Sequence, residues 1–190
     1  MYEIEIKFKF KNKTITQIQE MMSRENIEWS QPINQSDTIF LSNKMKEYKI
    51  VNGTQILRIR EESRGQESAT KKILTMKVQQ EIALESKEFE LEISNSEQAQ
   101  LIIEELGFIQ FVNVVKSRKK AKVNNYNLCL DEVEGLGTFL EVEYLSKEKV
   151  DALEVQNKIT EWVEGLGLTD YEINKIPYDT QVYNLKKQHC

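Results

Sequence analysis

The ionisable residues of this 190-residue chain fall into short clusters of one sign, spaced two apart. Glu3 and Glu5, then Glu88, Glu90 and Glu92, then Glu141 and Glu143 are acidic, whereas Arg58 and Arg60, then Lys116 and Arg118, are basic. Residues two apart on a β-strand point the same way, about 6.5–7 Å from one another. Like charges held that close repel unless something of opposite sign lies between them. Paired carboxylates suit hard divalent cations such as Mg2+ or Mn2+, which prefer oxygen, and paired Arg or Lys suit phosphate oxygens. An antiparallel sheet commonly wets one face, so one alternating strand needs no function. The sorting by sign over several strands is what points to chemistry.

Most of the elements that must position these residues alternate at period two, the strand signal. Tyr2, Ile4, Ile6, Phe8 and Phe10 share one face of a first strand, with Glu3, Glu5, Lys7, Lys9 and Lys11 on the other. Further strands are expected at Asp37–Leu41, Ile56–Arg60, around Leu74–Val78, around Glu88–Ile93, at Phe108–Val123, around Leu128–Asp131 and at Leu140–Tyr144. The polar run Arg64–Thr70 reads as a hairpin loop. Three segments have helical periodicity: Thr14–Asn26, with Thr14 and Gln17 at capping-box spacing; Ser96–Leu106, stopped by Gly107; and Lys147–Leu166. In the last of these, Trp162 is in phase with Ile159 and Leu166 and is expected in the core. About eight strands with three helices between them make an α+β protein with a mainly antiparallel sheet.

Composition bounds the function. With 39% hydrophobic and 30% charged residues, two Pro and seven Gly, the chain is neither collagen-like nor a Pro/Gly-rich disordered segment. No apolar run approaches the roughly 18 residues of a membrane helix. Its 26 basic and 31 acidic residues leave a net charge of −5, which excludes a nucleic-acid binder relying on bulk positive charge. The stretch Lys116–Lys122 (KSRKKAK) is the one stripe that suits RNA phosphates, and its acidic neighbours weigh against that use. Cys129 and Cys190 make no disulfide framework and no zinc spacing. Cys129 shares parity with Asp131 and reads as a small filler. The start, MYEIEIKFKF, lacks the features of a signal peptide. A single cytoplasmic domain over residues 1–190, with no membrane or nucleic-acid partner, is expected.

A sheet closed into a barrel would bring these faces to one interior and remove its exposed edges. The preferred guest of that interior is a triphosphate chelating divalent ions, and the helices would cover the apolar outside. Burying so many charges costs stability unless each finds a partner.

The ordered motifs resemble a known family. Glu3-Ile4-Glu5-Ile6-Lys7 is similar to the N-terminal ExExK signature of the CYTH superfamily, the triphosphate tunnel metalloenzymes, which includes class IV adenylyl cyclases, thiamine triphosphatases and inorganic triphosphatases. Gln35-Ser36-Asp37-Thr38-Ile39-Phe40 resembles the short strand that follows, Leu57–Arg60 the paired-arginine strand and Leu74–Lys77 the lysine strand. Glu88–Glu92 resembles the central acidic strand, Val115–Arg118 the basic strand, and Leu130–Glu143 the closing acidic hairpin. The Gly135-Leu136-Gly137 within the last stretch reads as a turn, since no helix follows it. The chain departs from the family at Lys175-Ile176-Pro177-Tyr178, where Lys175 sits one residue off the usual motif.

The resemblance implies a closed eight-stranded antiparallel β-barrel with helices outside, binding a triphosphate-containing small molecule with Mg2+ or Mn2+. It implies Glu3, Glu5, Asp131, Glu141 and Glu143 as metal candidates. Lys7, Arg58, Arg60, Lys77, Lys116 and Arg118 are implied as phosphate ligands, with Lys7, Lys77 and Arg118 as the catalytic candidates. Glu88, Glu90 and Glu92 serve the metals or hold the basic side chains as counter-charges, the latter being the expectation for Glu88. The cyclases of the family also carry a histidine ahead of the first acidic strand. Here Met1 and Tyr2 precede Glu3, and the sole histidine is His189. Hydrolysis of a nucleoside, thiamine or inorganic triphosphate is therefore the expected reaction. Conversion of ATP to cyclic AMP and pyrophosphate is the alternative, and a non-catalytic polyphosphate- or nucleotide-binding module a further one. Trp29, Phe40 and Tyr48 are candidate walls for an organic ring.

Overall fold

A computed structural model describes residues 2–45, 51–65, 71–79, 86–146, 148 and 150–188, with only the backbone described for Tyr2, Glu3, Arg24 and Ser86. Tyr48, His189, Cys190, most of the loop expected at Arg64–Thr70 and the Glu3 side chain lie outside the described residues. The chain divides into two compact units, residues 1–33 with 116–176 and residues 34–115 with 177–190.

In the first unit the strands are β1 (Tyr2–Phe10), the second half of β6 (Phe108–Val123), β7 (Tyr126–Val133), β8 (Gly137–Ser146) and the short β9 (Tyr171–Ile173). Their hydrogen-bonded order is β6-β7-β8-β1-β9, with antiparallel pairing in each case. Strand alternation sends Ile6, Phe8, Leu128, Leu130, Leu140 and Val142 to one face, where they are buried against Ile18, Met22, Ile159 and Val163 of the helical segments. Helix α1 (Ile15–Met21) carries the expected capping box: the Thr14 side chain accepts from the Gln17 backbone, and the Gln17 side chain accepts from the Thr14 backbone. It continues as a 3-10 turn at Met22–Glu25. Helix α3 (Ala152–Gly165) begins later than expected because Asp151 caps it, accepting from the backbones of Leu153 and Glu154. Trp162 packs against the core, its ring 5.2 Å from that of Tyr126. The Gly135-Leu136-Gly137 stretch joins β7 to β8 as a turn, with the Leu136 amide donating to the Val133 carbonyl.

The second unit orders its strands β5-β4-β3-β2-β6: β5 (Ser86–Glu92), β4 (Lys71–Gln79), β3 (Gln55–Arg64), β2 (Ile33–Ser42) and the first half of β6. Phe40, Leu57, Ile59 and Ile103 form its apolar cluster, the last contributed by helix α2 (Ser96–Glu105). Asn95 caps that helix, and Gly107, at φ +87°, ends it in the left-handed conformation glycine adopts without penalty. A fourth helix, α4 (Tyr178–Gln188), was not expected; Tyr183 on it lies 4.4 Å from the Phe111 ring.

The α+β class and the antiparallel sheet are as the sequence indicates. Two details are added to the expected barrel of eight strands. Among the described residues there are nine strands, because β9 adds to β1 through Phe8–Phe10. The order also ends on β5 and β9, so hydrogen bonds do not close the sheet among the described residues. No helix is long and apolar enough to cross a membrane among them. Phe8 has no exposed surface, so Phe8→Ala is expected to lower stability by about 3–5 kcal/mol, read from the midpoint of urea unfolding.

Candidate functional site

The first unit gathers charge on the face of its sheet opposite the apolar core. Pairing of β1 with β8 sets Lys7 opposite Glu141 and Glu5 opposite Glu143. The Lys7 ammonium lies 2.9 Å from Glu5 Oε1 and 3.2 Å from Glu141 Oε2. Pairing of β6 with β7 sets Arg118 opposite Asp131. Its Nε and Nη2 donate to the two oxygens of Asp131 at 2.7 and 2.6 Å, and Nη2 lies 3.6 Å from Glu141 Oε2. One carboxylate oxygen, Glu141 Oε2, is thus shared between a lysine and an arginine. Asp131 is fully buried, while Glu5 remains 39% exposed.

These contacts favour the charged forms of the two bases. Burial alone would lower the Lys7 pKa, but the carboxylates of Glu141 and Glu5 outweigh it and hold the ammonium above its usual value. The same balance, with Asp131 as chief partner, raises Arg118. Cys129 stands opposite Glu141; burial pushes its thiol up to about 11, against the opposing pull of Arg118. Asn127 donates to Glu143 Oε2 at 2.8 Å.

The second unit holds the other basic set. Arg60 is clamped by both oxygens of Asp37, Nε to Oδ1 at 2.6 Å and Nη2 to Oδ2 at 2.7 Å. Arg58 Nη2 donates to Thr75 Oγ1 at 3.0 Å and to Glu90 Oε1 at 3.3 Å. Lys77 stands opposite Glu88 and donates to it at 2.6 Å. Burial, reinforced by neighbouring Arg60, lowers the Arg58 pKa. Asp179, near the start of α4, is pushed up by burial, against hydrogen bonds from Thr180 and the charges of Lys77 and Arg58. It therefore stands within the field of two proposed phosphate ligands.

The structure thus joins Glu5, Lys7, Arg118, Asp131 and Glu141 in one network, with Glu143 opposite Glu5. It joins Arg58 with Glu90 and Lys77 with Glu88 in the second unit. Glu92 pairs with exposed Lys71 at 3.7 Å. Lys116 is buried opposite Val133. The backbone of Glu3 stands opposite Leu145.

Asp37, Gln35, Glu62 and Asp179 were not singled out as site residues from sequence. The Arg118–Asp131 pair was within reach: a two-residue turn at Asn124-Asn125, with Asn124 in the left-handed region, fixes the register of that hairpin. No comparable signal marks Asp37 as the partner of Arg60.

The donor chemistry of the acidic set fits an oxygen-preferring divalent cation. Glu5 and Glu143 are directly opposed like charges, an arrangement that is destabilising as it stands and that a cation relieves. Asp131 fits less well, since Arg118 occupies both its oxygens. Among the described residues no three acidic, Cys or His side chains stand close enough to hold an ion by themselves; Lys7 sits between Glu5 and Glu141.

The model of the CYTH domain matches residues 1–176, and the chain belongs to that family. A protein of Methanocaldococcus jannaschii named as a putative adenylate cyclase is 27% identical over 188 residues, 94% of this chain and 97% of that one. A solved protein of Pyrococcus horikoshii is 28% identical with a TM-score of 0.73, over 98% of this chain and 99% of its own. A conserved hypothetical protein of Pyrococcus furiosus is 28% identical with a TM-score of 0.70, over 94% and 99%.

Two outcomes are expected. Asp131→Asn leaves the Arg118 charge poorly paired and lowers unfolding free energy by about 3–5 kcal/mol in a denaturant titration, whereas Asp131→Leu combined with Arg118→Met recovers most of it. Alkylation of Cys129, followed by peptide mapping, proceeds far more slowly than that of a free cysteine at pH 8 and accelerates only as pH approaches about 11.

Proposed function

We propose that this CYTH protein hydrolyses a triphosphate with the aid of a divalent cation, Mg2+ or Mn2+. The observation that carries the reading is the Glu141 carboxylate held between Lys7 and Arg118, beside the opposed Glu5 and Glu143. Cationic donors and carboxylates that interleave in this way suit a polyanion that arrives with its counter-cation. Family membership supports the same reading.

In this proposal Glu5, Glu141 and Glu143 would hold the cation, and Glu3 is assigned with them from the sequence motif. When bound, the cation would supply Lewis-acid neutralisation of phosphate oxygens and polarisation of the attacking water. Lys7 exchanges its contacts with Glu5 and Glu141 for phosphate oxygens. Arg118, kept in place by Asp131, offers its guanidinium edge to the same chain, and Lys116 adds a further positive charge. The role of Asp131 is therefore to position Arg118 rather than to ligate the cation. Arg58, Arg60 and Lys77 form a second set of phosphate donors, held ready by Thr75, Glu90, Asp37 and Glu88. Catalysis is then chiefly electrostatic: negative charge develops on oxygens that already face fixed cations. The proposal places this activity in a single cytoplasmic domain.

Cyclisation of ATP is the second reading, favoured by the name of the Methanocaldococcus jannaschii relative. The two differ in products. Incubation with ATP, thiamine triphosphate and inorganic triphosphate, each with Mg2+ and Mn2+, is expected to yield orthophosphate and the diphosphate. Cyclic AMP and pyrophosphate from ATP would establish the cyclase instead. Glu5→Gln is expected to lower turnover by at least about 100-fold, an effect equivalent to nearly 3 kcal/mol of transition-state stabilisation; unchanged turnover removes Glu5 from the cation site.

A further inference from the structure

Among the described residues of the second unit, two buried side-chain atoms have no hydrogen-bond partner: Gln35 Oε1 and Arg58 Nε. Native proteins hold few such atoms, and each calls for an explanation. Their demands are opposite. Arg58 Nε is a donor and suits a phosphate oxygen. Gln35 Oε1 is an acceptor and needs an N–H or O–H.

The amide orientation is not arbitrary. Gln35 Nε2 donates to Glu62 Oε1 at 2.5 Å. A flipped amide would set its oxygen against a carboxylate, so the acceptor is the atom left over. Gln35 is only 2% exposed, and it shares strand parity with Asp37, which clamps Arg60. Along β3 the polar positions run Arg58, Arg60, Glu62. Donors for phosphate therefore give way, within four residues, to a carboxylate with the unfilled Gln35 acceptor beside it.

We propose that Gln35, together with Glu62, receives a hydroxyl or amine on the non-phosphate part of the substrate, so that the substrate is an organic triphosphate ester rather than inorganic triphosphate. This rests on the triphosphate reading above and narrows it. Fully ionised inorganic triphosphate carries acceptors only. It satisfies Arg58 Nε but leaves Gln35 Oε1 unpaired and presses anionic oxygens towards Glu62. A sugar hydroxyl or ring amine meets both demands. Gln35 is nearly closed to solvent, so a substrate group that meets Oε1 requires the side chains covering it to move. Sites built around such a hydrogen bond discriminate strongly against analogues that lack the donor.

The test measures kcat/KM for inorganic triphosphate and for whichever of ATP and thiamine triphosphate is consumed faster, with Mg2+ in excess and at alkaline pH, so that each triphosphate is present chiefly in its ionised, cation-bound form. The wild-type protein is expected to favour the organic substrate by about 10-fold or more. Gln35→Met should remove most of that preference while leaving consumption of inorganic triphosphate within about 2-fold. Equal or reversed preference in the wild type overturns the inference, as does a parallel loss on both substrates in the variant. If the variant does not fold, the wild-type ratio decides alone. Consumption of no triphosphate at all overturns the triphosphate reading itself, and the inference with it.

Discussion

Like charges two residues apart on a strand cannot stay close together without a counter-charge between them. In the first unit that demand is met across strands. Lys7 lies between Glu5 and Glu141, and Arg118 binds Asp131 with both arms while lying 3.6 Å from the same Glu141 oxygen that contacts Lys7. The second unit solves the same problem with Asp37 against Arg60, Glu90 against Arg58 and Glu88 against Lys77. Arg118, Arg58, Arg60 and Lys77 are each held by an acid from another strand, and Lys7 by one acid of its own strand and one of β8.

Interleaving of this kind has a functional consequence. A cluster of bare arginines and lysines would be unstable in the absence of ligand, and a fully neutralised one would have little to offer a polyanion. Here the pairings differ in strength. The bidentate Arg118–Asp131 and Arg60–Asp37 pairs fix guanidinium planes and carry the geometry. Lys7, a compact point charge on a flexible stem, sits in longer contacts, 2.9 and 3.2 Å, that a phosphate chain and its cation can replace. Glu5, the most exposed acid of the first cluster, is the one nearest to solvent for a cation to reach. Rigid bases and exchangeable acids are what electrostatic catalysis of phosphoryl transfer requires.

How much of this was legible in the sequence depended on the range of the interaction. Alternation assigns residues to faces locally, so Lys7 and Glu5 were placed together, as were Arg58 and Arg60. Register across a tight hairpin is also local: Asn124-Asn125 sets Arg118 against Asp131. Register between β1 and β8 joins segments far apart in the chain and has no local signal, so the sharing of Glu141 by Lys7 and Arg118 was not readable. The same holds for Asp37 with Arg60. Strand β9 has three residues, too few for alternation to register, and it pairs with β1 through backbone groups. Helix α4 is polar and amphipathic with one buried residue, Val182, so its periodicity was weak, and with it Asp179 was missed. Closure of the barrel was an expectation from the sorted charges and from resemblance, and among the described residues the hydrogen-bonded order ends on β5 and β9.

The central claim is that these charges are arranged to take a triphosphate together with a divalent cation, not merely to hold the strands to one another. A ligand that binds only the folded state raises the unfolding temperature by mass action. Thermal unfolding with triphosphate alone, Mg2+ alone and both together therefore tests the claim most directly. The account predicts a clear rise with both, larger than the sum of the separate shifts and lost in Lys7→Gln. An unfolding temperature unmoved by the combination, at millimolar concentrations of each, would contradict it.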